Sequence, residues 1–400
     1  TDAHMHAPVL PLPGHEELFA LLNLYHGVTL TRMAAGDATM REAIAAGLYA
    51  GPRMLSCGPF IDGSPPTWRD SLVVPDKLSA QSAVDRVVAG GYDCVKVYNE
   101  LTAETSRDIY RAAASAGLPV IGHVPWRQEF HAAHIDDLQH LVGWAGPHPD
   151  DAQTSHVLRL RKLADLDKAR IDYLVEAASN RSLQLTPTLV TLQRKFALQD
   201  AARLRARESS RFLPRFYREQ LWHPRRGLVS SRLMSATDHA QFRQAYLKSM
   251  EAVRRLHEAG VELHSCTDAP AEFIVPGAGL IEELELLQAT GLSAEAVLRI
   301  SAVDTPSRLL AGDATPLGVG ARADFVVYAR DPTRDLRNLS SRPAVVVDGR
   351  FYSREQLEGQ LRRYRQWFDS TLYRLLTESV VGAGLWVINA LSAAADGNSE

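Results

Sequence analysis

Cysteine is scarce in this chain: three in 400 residues, Cys57, Cys94 and Cys266, widely spaced and with no Cys-x-x-Cys pair. That scarcity argues against a disulfide framework and fits a reducing, cytoplasmic compartment. Charge of one sign is also lacking. Lys and Arg number 44 against 47 Asp and Glu, a net charge of −3, so no basic field exists to hold nucleic acid. Long apolar runs are missing apart from residues 379–395, which carry no charge but include Asn389, Gly382 and Gly384. At the lower edge of the roughly 17–25 residues a membrane span requires, that stretch is expected to be a buried or interface helix. The chain has no leading Met and opens directly on its first candidate site residues, which leaves open a leader or longer N-terminal segment ahead of Thr1.

What is present reads as a soluble α/β protein. Hydrophobic residues make up 46% and charged residues 23%, ordinary for a globular chain. Apolar residues recur at helical spacing over 16–22 and 39–48, with a short buried strand over 28–31 between them. A second strand at 54–57 leads into a Gly- and Pro-rich loop over 58–68. Ser79 caps a helix with Ala83, Val84, Val87 and Val88 on its apolar face, closed by Gly90-Gly91. A strand at 94–98, a helix from Thr102 to Ala116, a strand at 118–123, a helix near 129–134 and a strand at 138–141 follow. This alternation predicts a parallel sheet with helical crossovers, and closure into a (β/α)8 TIM-like barrel is the economical architecture.

The rhythm breaks between about 147 and 254, where a seventh strand over 183–190 is flanked by long charged helical segments. These are too long for simple crossovers and are expected to form an insertion, either a lid over the site or a solvated helical hairpin. The expected division is a barrel over 1–312 containing that insertion, a small β unit over 313–356, and a C-terminal helical tail over 357–400.

The chemistry is carried by a set of residues at predicted strand ends. His4 and His6 stand two apart on an extended segment, so both imidazoles point to one face and reach one metal ion; alone they read more readily as two solvated histidines at a chain end. Lys96, His123, His140 and Asp268 each sit at the C-terminal end of a predicted strand, the last after a strand over 261–267, on the face where barrel enzymes collect catalytic groups. Lys96 between Val95 and Val97 has a bland alternative as a lysine snorkelling from a strand end. Tyr98, Trp126 and His264 are candidate substrate contacts, His264 having the alternative of a buried histidine bonded to backbone. His131, His134, His148, His156, His223, His239 and His257 fall on predicted helices or loops, as surface residues.

Taken in order, His4-x-His6, Lys96, His123, His140 and Asp268 resemble the metal pattern of the amidohydrolase superfamily, specifically its imidazolonepropionase-like and prolidase-like members with a lysine ligand. The resemblance extends to the Pro276-Gly277 turn before an acidic helix, the 301–310 helix, and Gly320-Ala321-Arg322-Ala323-Asp324-Phe325 with Asp331-Pro332 after it. It implies two divalent ions, expected to be Zn. His4, His6 and Asp268 would hold one ion, His123 and His140 the other, and a CO2-derived carbamate on Lys96 would bridge them. It also implies hydrolysis of an amide, peptide or cyclic-amide C–N bond by a bridging hydroxide, with Asp268 as general base and acid. Two departures stand out. Gln139 occupies a position where the family often has Glu, and the family's longer N-terminal segment, which supplies strands to the β unit, is not in this sequence.

Three alternatives remain at this level: a mononuclear enzyme opening a cyclic substrate, a lyase or isomerase on the same scaffold, and a non-catalytic barrel acting as a binding subunit. A small-molecule substrate and a homo-oligomer are the expected partners, with cavity walls drawn from the 58–68 loop, the Trp126 region and the insertion.

Overall fold

Parallel strands cannot turn back on themselves without a crossover, and this chain supplies a helix or long loop for each return. The computed structural model describes residues 1–10, 12–76, 78–147, 159–225, 227–228, 234–310 and 317–397, with side chains to 386. His148, His156 and the 312/313 boundary lie outside the described residues.

The first half alternates β1 (Asp2–Met5), α1 (His15–Tyr25), β2 (Leu30–Met33), α2 (Thr39–Ala45), β3 (Arg53–Ser56), β4 (Phe60–Asp62) and β5 (Leu72–Val73). It continues through α3 (Ala80–Ala89), β6 (Val95–Val97), α4 (Ala103–Ser115), β7 (Val120–Gly122) and β8 (Asp137–Gln139). The second half adds α5 (Lys168–Ser179), β9 (Gln184–Thr186), α6 (Leu189–Ala197), α7 (Ala236–Glu258), β10 (Glu262–Leu263) and α8 (Ala278–Ala289). After these come β11 (Phe325–Val327), β12 (Ala344–Val347), β13 (Arg350–Ser353), α9 (Arg354–Asp369) and α10 (Thr371–Gly397). Local chemistry explains many of the boundaries. Ser79, Thr102 and Asp167 cap α3, α4 and α5 by accepting a backbone N–H three residues on, and Ser235 with Asp238 and Ser353 with Gln356 form capping boxes at α7 and α9.

β1, β2 and β3 form one parallel sheet, and a seven-stranded parallel sheet runs in the order β10-β9-β8-β7-β6-β4-β5. The two sheets are tied at both margins. On one side Ala3 N–H donates to Ser265 O (2.8 Å) and Met5 bridges Ala269; on the other Asp93 N–H donates to Ser56 O (2.7 Å). This parallel α/β arrangement is compatible with the expected barrel. β11, β12 and β13 make a small antiparallel sheet, built from the region where the sequence pattern placed the β unit. Its buried strand β12 puts Val345 and Val347 into an apolar cluster with Phe19 and Leu22 of α1 and with Leu357 and Leu361 of α9.

Several expectations are corrected. The helix expected near 129–134 is only a short 3-10 turn, Phe130–Ala132. The strand expected over 183–190 ends at Thr186, and α6 begins at Leu189 because Thr188 adopts a left-handed φ of 47° that breaks the extended run. The long charged helices of the insertion are broken into short pieces, among them Leu160–Asp165 and Ala201–Ala206.

The cysteine expectation is also overturned. Cys57, just past β3, and Cys94, just before β6, form a disulfide with Cα atoms 4.3 Å apart, while Cys266 is buried and outside any disulfide. The pair is 37 residues apart in sequence, and only the crossover that lays Asp93 against Ser56 brings it together. Cysteine usage therefore no longer argues for a reducing compartment. Among the described residues no helix is long and apolar enough to cross a membrane.

Thiol titration of the unfolded, unreduced protein is expected to find one reactive thiol, not three. A Cys57→Ser/Cys94→Ser variant should lose about 3–4 kcal/mol of unfolding free energy from restored loop entropy, read by urea denaturation.

Candidate active site

The strand ends carry an unusual concentration of backbone strain. His140 (φ 62°), Leu141 (59°), Thr188 (47°), Asp268 (62°) and Phe273 (55°) are non-glycine residues in the left-handed region, a conformation that persists only where surrounding structure over-determines it. Gly122, immediately before His123, has φ 150°, and a Cβ there would sit 2.1 Å from the Val97 carbonyl oxygen. Only glycine lets β7 pass β6 closely enough to present His123.

Three ligand-type atoms converge. His4 Nε2 lies 3.2 Å from His6 Nε2 and 3.3 Å from Asp268 Oδ1, and His6 Nε2 lies 3.1 Å from the same oxygen. A tetrahedral ion with ligands at about 2.0–2.1 Å needs ligand atoms about 3.3 Å apart, so this triangle fits one face of such a site. Among the described residues it is the one His, Cys or carboxylate group gathered closely enough to hold an ion. Backbone bonds hold the triangle. The Asp268 N–H donates to His4 O (2.7 Å), and Asp2 accepts from the His4 N–H (3.2 Å) and the Thr267 hydroxyl (2.7 Å).

His140 and His123 stand beside this triangle. The His4 and His140 rings are 4.3 Å apart between centroids, and those of His123 and His140 5.2 Å. Asn99 Oδ1 accepts from His123 Nδ1 (2.8 Å), which leaves the lone pair on Nε2, and His140 Nδ1 bonds the Thr188 hydroxyl (2.6 Å). Lys96 is buried and its Nζ donates to Gln139 Oε1, while Arg32 pairs with Asp137 beneath it.

Electrostatics favour neutral His4 and His140 and an ionised Asp268. Burial pushes His4 well below the usual histidine range and His140 down to about 4, with Lys96 lowering both and Asp268 opposing. Burial pushes Lys96 down to about 7, against the pull of Asp268 and Asp137, so the free amine is accessible near neutrality. For Asp268 burial would raise the pKa, but His140 and the bonds from His4 and His6 overcome it and hold the carboxyl well below its usual range.

Above the cluster opens a cavity of about 410 Å³ that all six candidate ligands line. Tyr98 and Trp126 line it as well, joined by Phe60 and Trp68 from the Gly- and Pro-rich loop and by Trp222. The insertion supplies one wall through Leu160, Thr191, Lys195, Trp222 and Leu228. His264 does not line the cavity. It is buried one residue past β10, with Nε2 3.0 Å from the side chain of Gln184, the first residue of β9, and Nδ1 3.4 Å from the Thr305 hydroxyl. The substrate-contact reading of His264 is thereby corrected, and its partners are side chains, not backbone.

Sequence reasoning missed the buried pair Lys195–Glu272, whose Nζ and Oε2 are 2.7 Å apart in the cavity wall. Lys195 follows Thr191 by one helical turn on α6, and Glu272 follows Asp268 by four residues in a tight turn. Lys195 falls in the charged helical segment read as part of the insertion, and Glu272 in a stretch after Asp268 to which the pattern assigned no element, so nothing in the spacing paired them.

No family model matches the sequence, and no curated protein does. Solved structures do. Bottromycin amidohydrolase superposes with a TM-score of 0.67 at 24% identity, over 91% of this chain and 78% of that one. A putative prolidase from Bifidobacterium longum gives 0.60 at 21%, over 90% and 84%. The A. niger ochratoxinase gives 0.59 at 15%, over 88% and 82%. The fold is that of amidohydrolase-type enzymes. At these identities the likeness speaks to fold, and chemistry must be argued from the site.

The start of α6, next to Thr188, is anchored by Glu283 of α8, whose carboxyl accepts the N–H groups of Leu189 (2.8 Å) and Val190 (2.7 Å). Burial pushes Glu283 from 4.5 up to about 8, against those two donors. A folded-state pKa above the unfolded value favours folding fully below about 4.5 and progressively less as pH rises through about 8. Chemical denaturation between pH 5 and 9 should therefore show a steeper fall in stability for the wild type than for Glu283→Gln; parallel curves would refute the assignment.

Proposed function

We propose that this chain is a metal-dependent hydrolase that cleaves a C–N bond in an amide, peptide or cyclic amide. The observation that carries the reading is the His4–His6–Asp268 triangle at strand ends, opening directly into an aromatic-walled cavity. The proposed framework is a closed (β/α)8 barrel over about residues 1–312 with the insertion over about 147–254. The small β unit over 313–356 and the helical tail over 357–400 complete the proposed division. Amidohydrolase and prolidase structures among the fold's neighbours support the reaction class.

The donor set suits a divalent ion, Zn above all: two imidazoles and one carboxylate at tetrahedral spacing. His4, His6 and Asp268 would hold one ion; His123 and His140 would hold a second, with a carboxylated Lys96 between. When bound, such ions polarise a carbonyl and lower the pKa of coordinated water. The chain's own residues do the rest. Asp268, ionised and oriented by His4 and His6, takes the proton of the attacking water and passes it to the leaving nitrogen. Asn99 and Thr188 hold His123 and His140 in place. Phe60, Tyr98, Trp126 and Trp222 wall the cavity with apolar surface that excludes bulk water and favours a substrate with an aromatic or aliphatic side chain.

A mononuclear version is favoured by two observations: among the six candidate ligands only His4, His6 and Asp268 converge, and Lys96 Nζ is engaged by Gln139. Metal analysis separates the two. Protein prepared with bicarbonate and excess zinc is expected to hold about two equivalents per chain, falling in Lys96→Ala. One equivalent unaffected by that substitution would establish the mononuclear site, and none in folded protein would sink the metal reading. Asp268→Asn should cut kcat by about 10²–10⁴-fold while metal remains bound; near-normal turnover would remove Asp268 from the proton path. Thr188→Val should weaken metal retention about 10–100-fold through loss of the His140 partner, read by chelator competition.

A further inference from the structure

α10 is apolar on two opposite faces. Tyr373, Thr377, Val381 and Leu385, spaced four apart, are buried against the body of the protein. On the other side Leu372, Leu375, Leu376, Val380 and Trp386 are 60% to 72% exposed, with Ser379 and Ala383 between them. The helix's two described charges, Arg374 and Glu378, pair with each other at its flank (3.4 Å) and leave the outer face uncharged. A helix that is hydrophobic all round is normally buried all round.

We propose that this outer face is a homodimer interface, in which α10 packs antiparallel on α10 of a second copy of this chain. Two observations select that occupant. At the stated exposures the five large side chains offer on the order of 600 Å² per copy, so a symmetric pair would bury about 1,200 Å², the low end of stable interfaces. The face also carries no charge: nothing opposes self-pairing, and it lacks the Lys/Arg-rich rim by which an amphipathic helix grips a lipid surface. The side-chain order suits a two-fold axis. Ser379 and Ala383 at the centre let two backbones approach, and antiparallel packing sets the bulky Trp386 of each copy against Leu372 and Leu375 of the other. From 372 to 386 the face spans about 21 Å of helix.

Sedimentation velocity with light scattering tests this on the full chain, comparing wild type with Leu375→Glu/Leu376→Glu. Both substituted positions are exposed, so unchanged circular dichroism is expected of the folded variant. The expected result is a wild type at twice the 44.1 kDa chain mass and at least 100-fold weaker dimerisation in the variant. In addition, a Ser379→Cys variant, at the proposed two-fold axis and exposed, should cross-link to dimer under mild oxidation. A monomeric wild type, or a dimer that survives the glutamates with the fold intact, overturns the proposal. So does a monomer that co-sediments with phosphatidylserine vesicles, which would assign the face to lipid.

Discussion

The site depends on β1 being hydrogen-bonded along both edges. On one side it pairs with β2, and on the other Ala3 and His6 donate to Ser265 and Ala269 while the His4 carbonyl receives the Thr267 and Asp268 N–H groups. That double clasp fixes the distance between the two strands carrying His4, His6 and Asp268 without help from the side chains. A buried polar layer lies under it: Arg32 pairs with Asp137 and donates to the Ala3 carbonyl, and Thr186 donates to Asp137. Charges this deep are tolerable only when fully paired, since removal of one partner leaves the other uncompensated.

Much of this was legible in the sequence because two short periodicities carry it. Alternation with period two placed His4 with His6 and Lys96 with Tyr98, and the strand–helix rhythm put Lys96, His123, His140 and Asp268 at equivalent strand ends. The antiparallel β11–β13 sheet was readable from Gly- and Asp-punctuated short strands for similar reasons. What stayed hidden depended on where strands begin and end in space. His264 looked eligible because it lies four residues before Asp268, yet its ring bonds Gln184 at the start of β9 and Thr305, neither of which lines the cavity. Thr188 read as strand because its left-handed φ has no signature in a threonine. Cys57 and Cys94 gave no sign of pairing, because loop contacts across 37 residues are set by tertiary structure.

The electrostatic arrangement divides labour among groups of similar chemistry. Burial lowers Lys96 and His140 alike, yet Asp268, partly buried beside them, is held ionised by the histidines that surround it. The cluster thus collects neutral donors around one persistent negative charge, the combination that a cation requires and that separate buried groups would not reach.

The Lys195–Glu272 pair has a consequence for what the cavity can admit. Its opposite charges cancel within 2.7 Å, so this part of the wall presents a dipole and no net charge. A guest carrying a formal charge would have to compete with that pair to gain a partner there. Uncharged guests meet no such barrier. This stretch of wall therefore favours guests that leave the pair intact, and a change at either residue would shift the charge it presents.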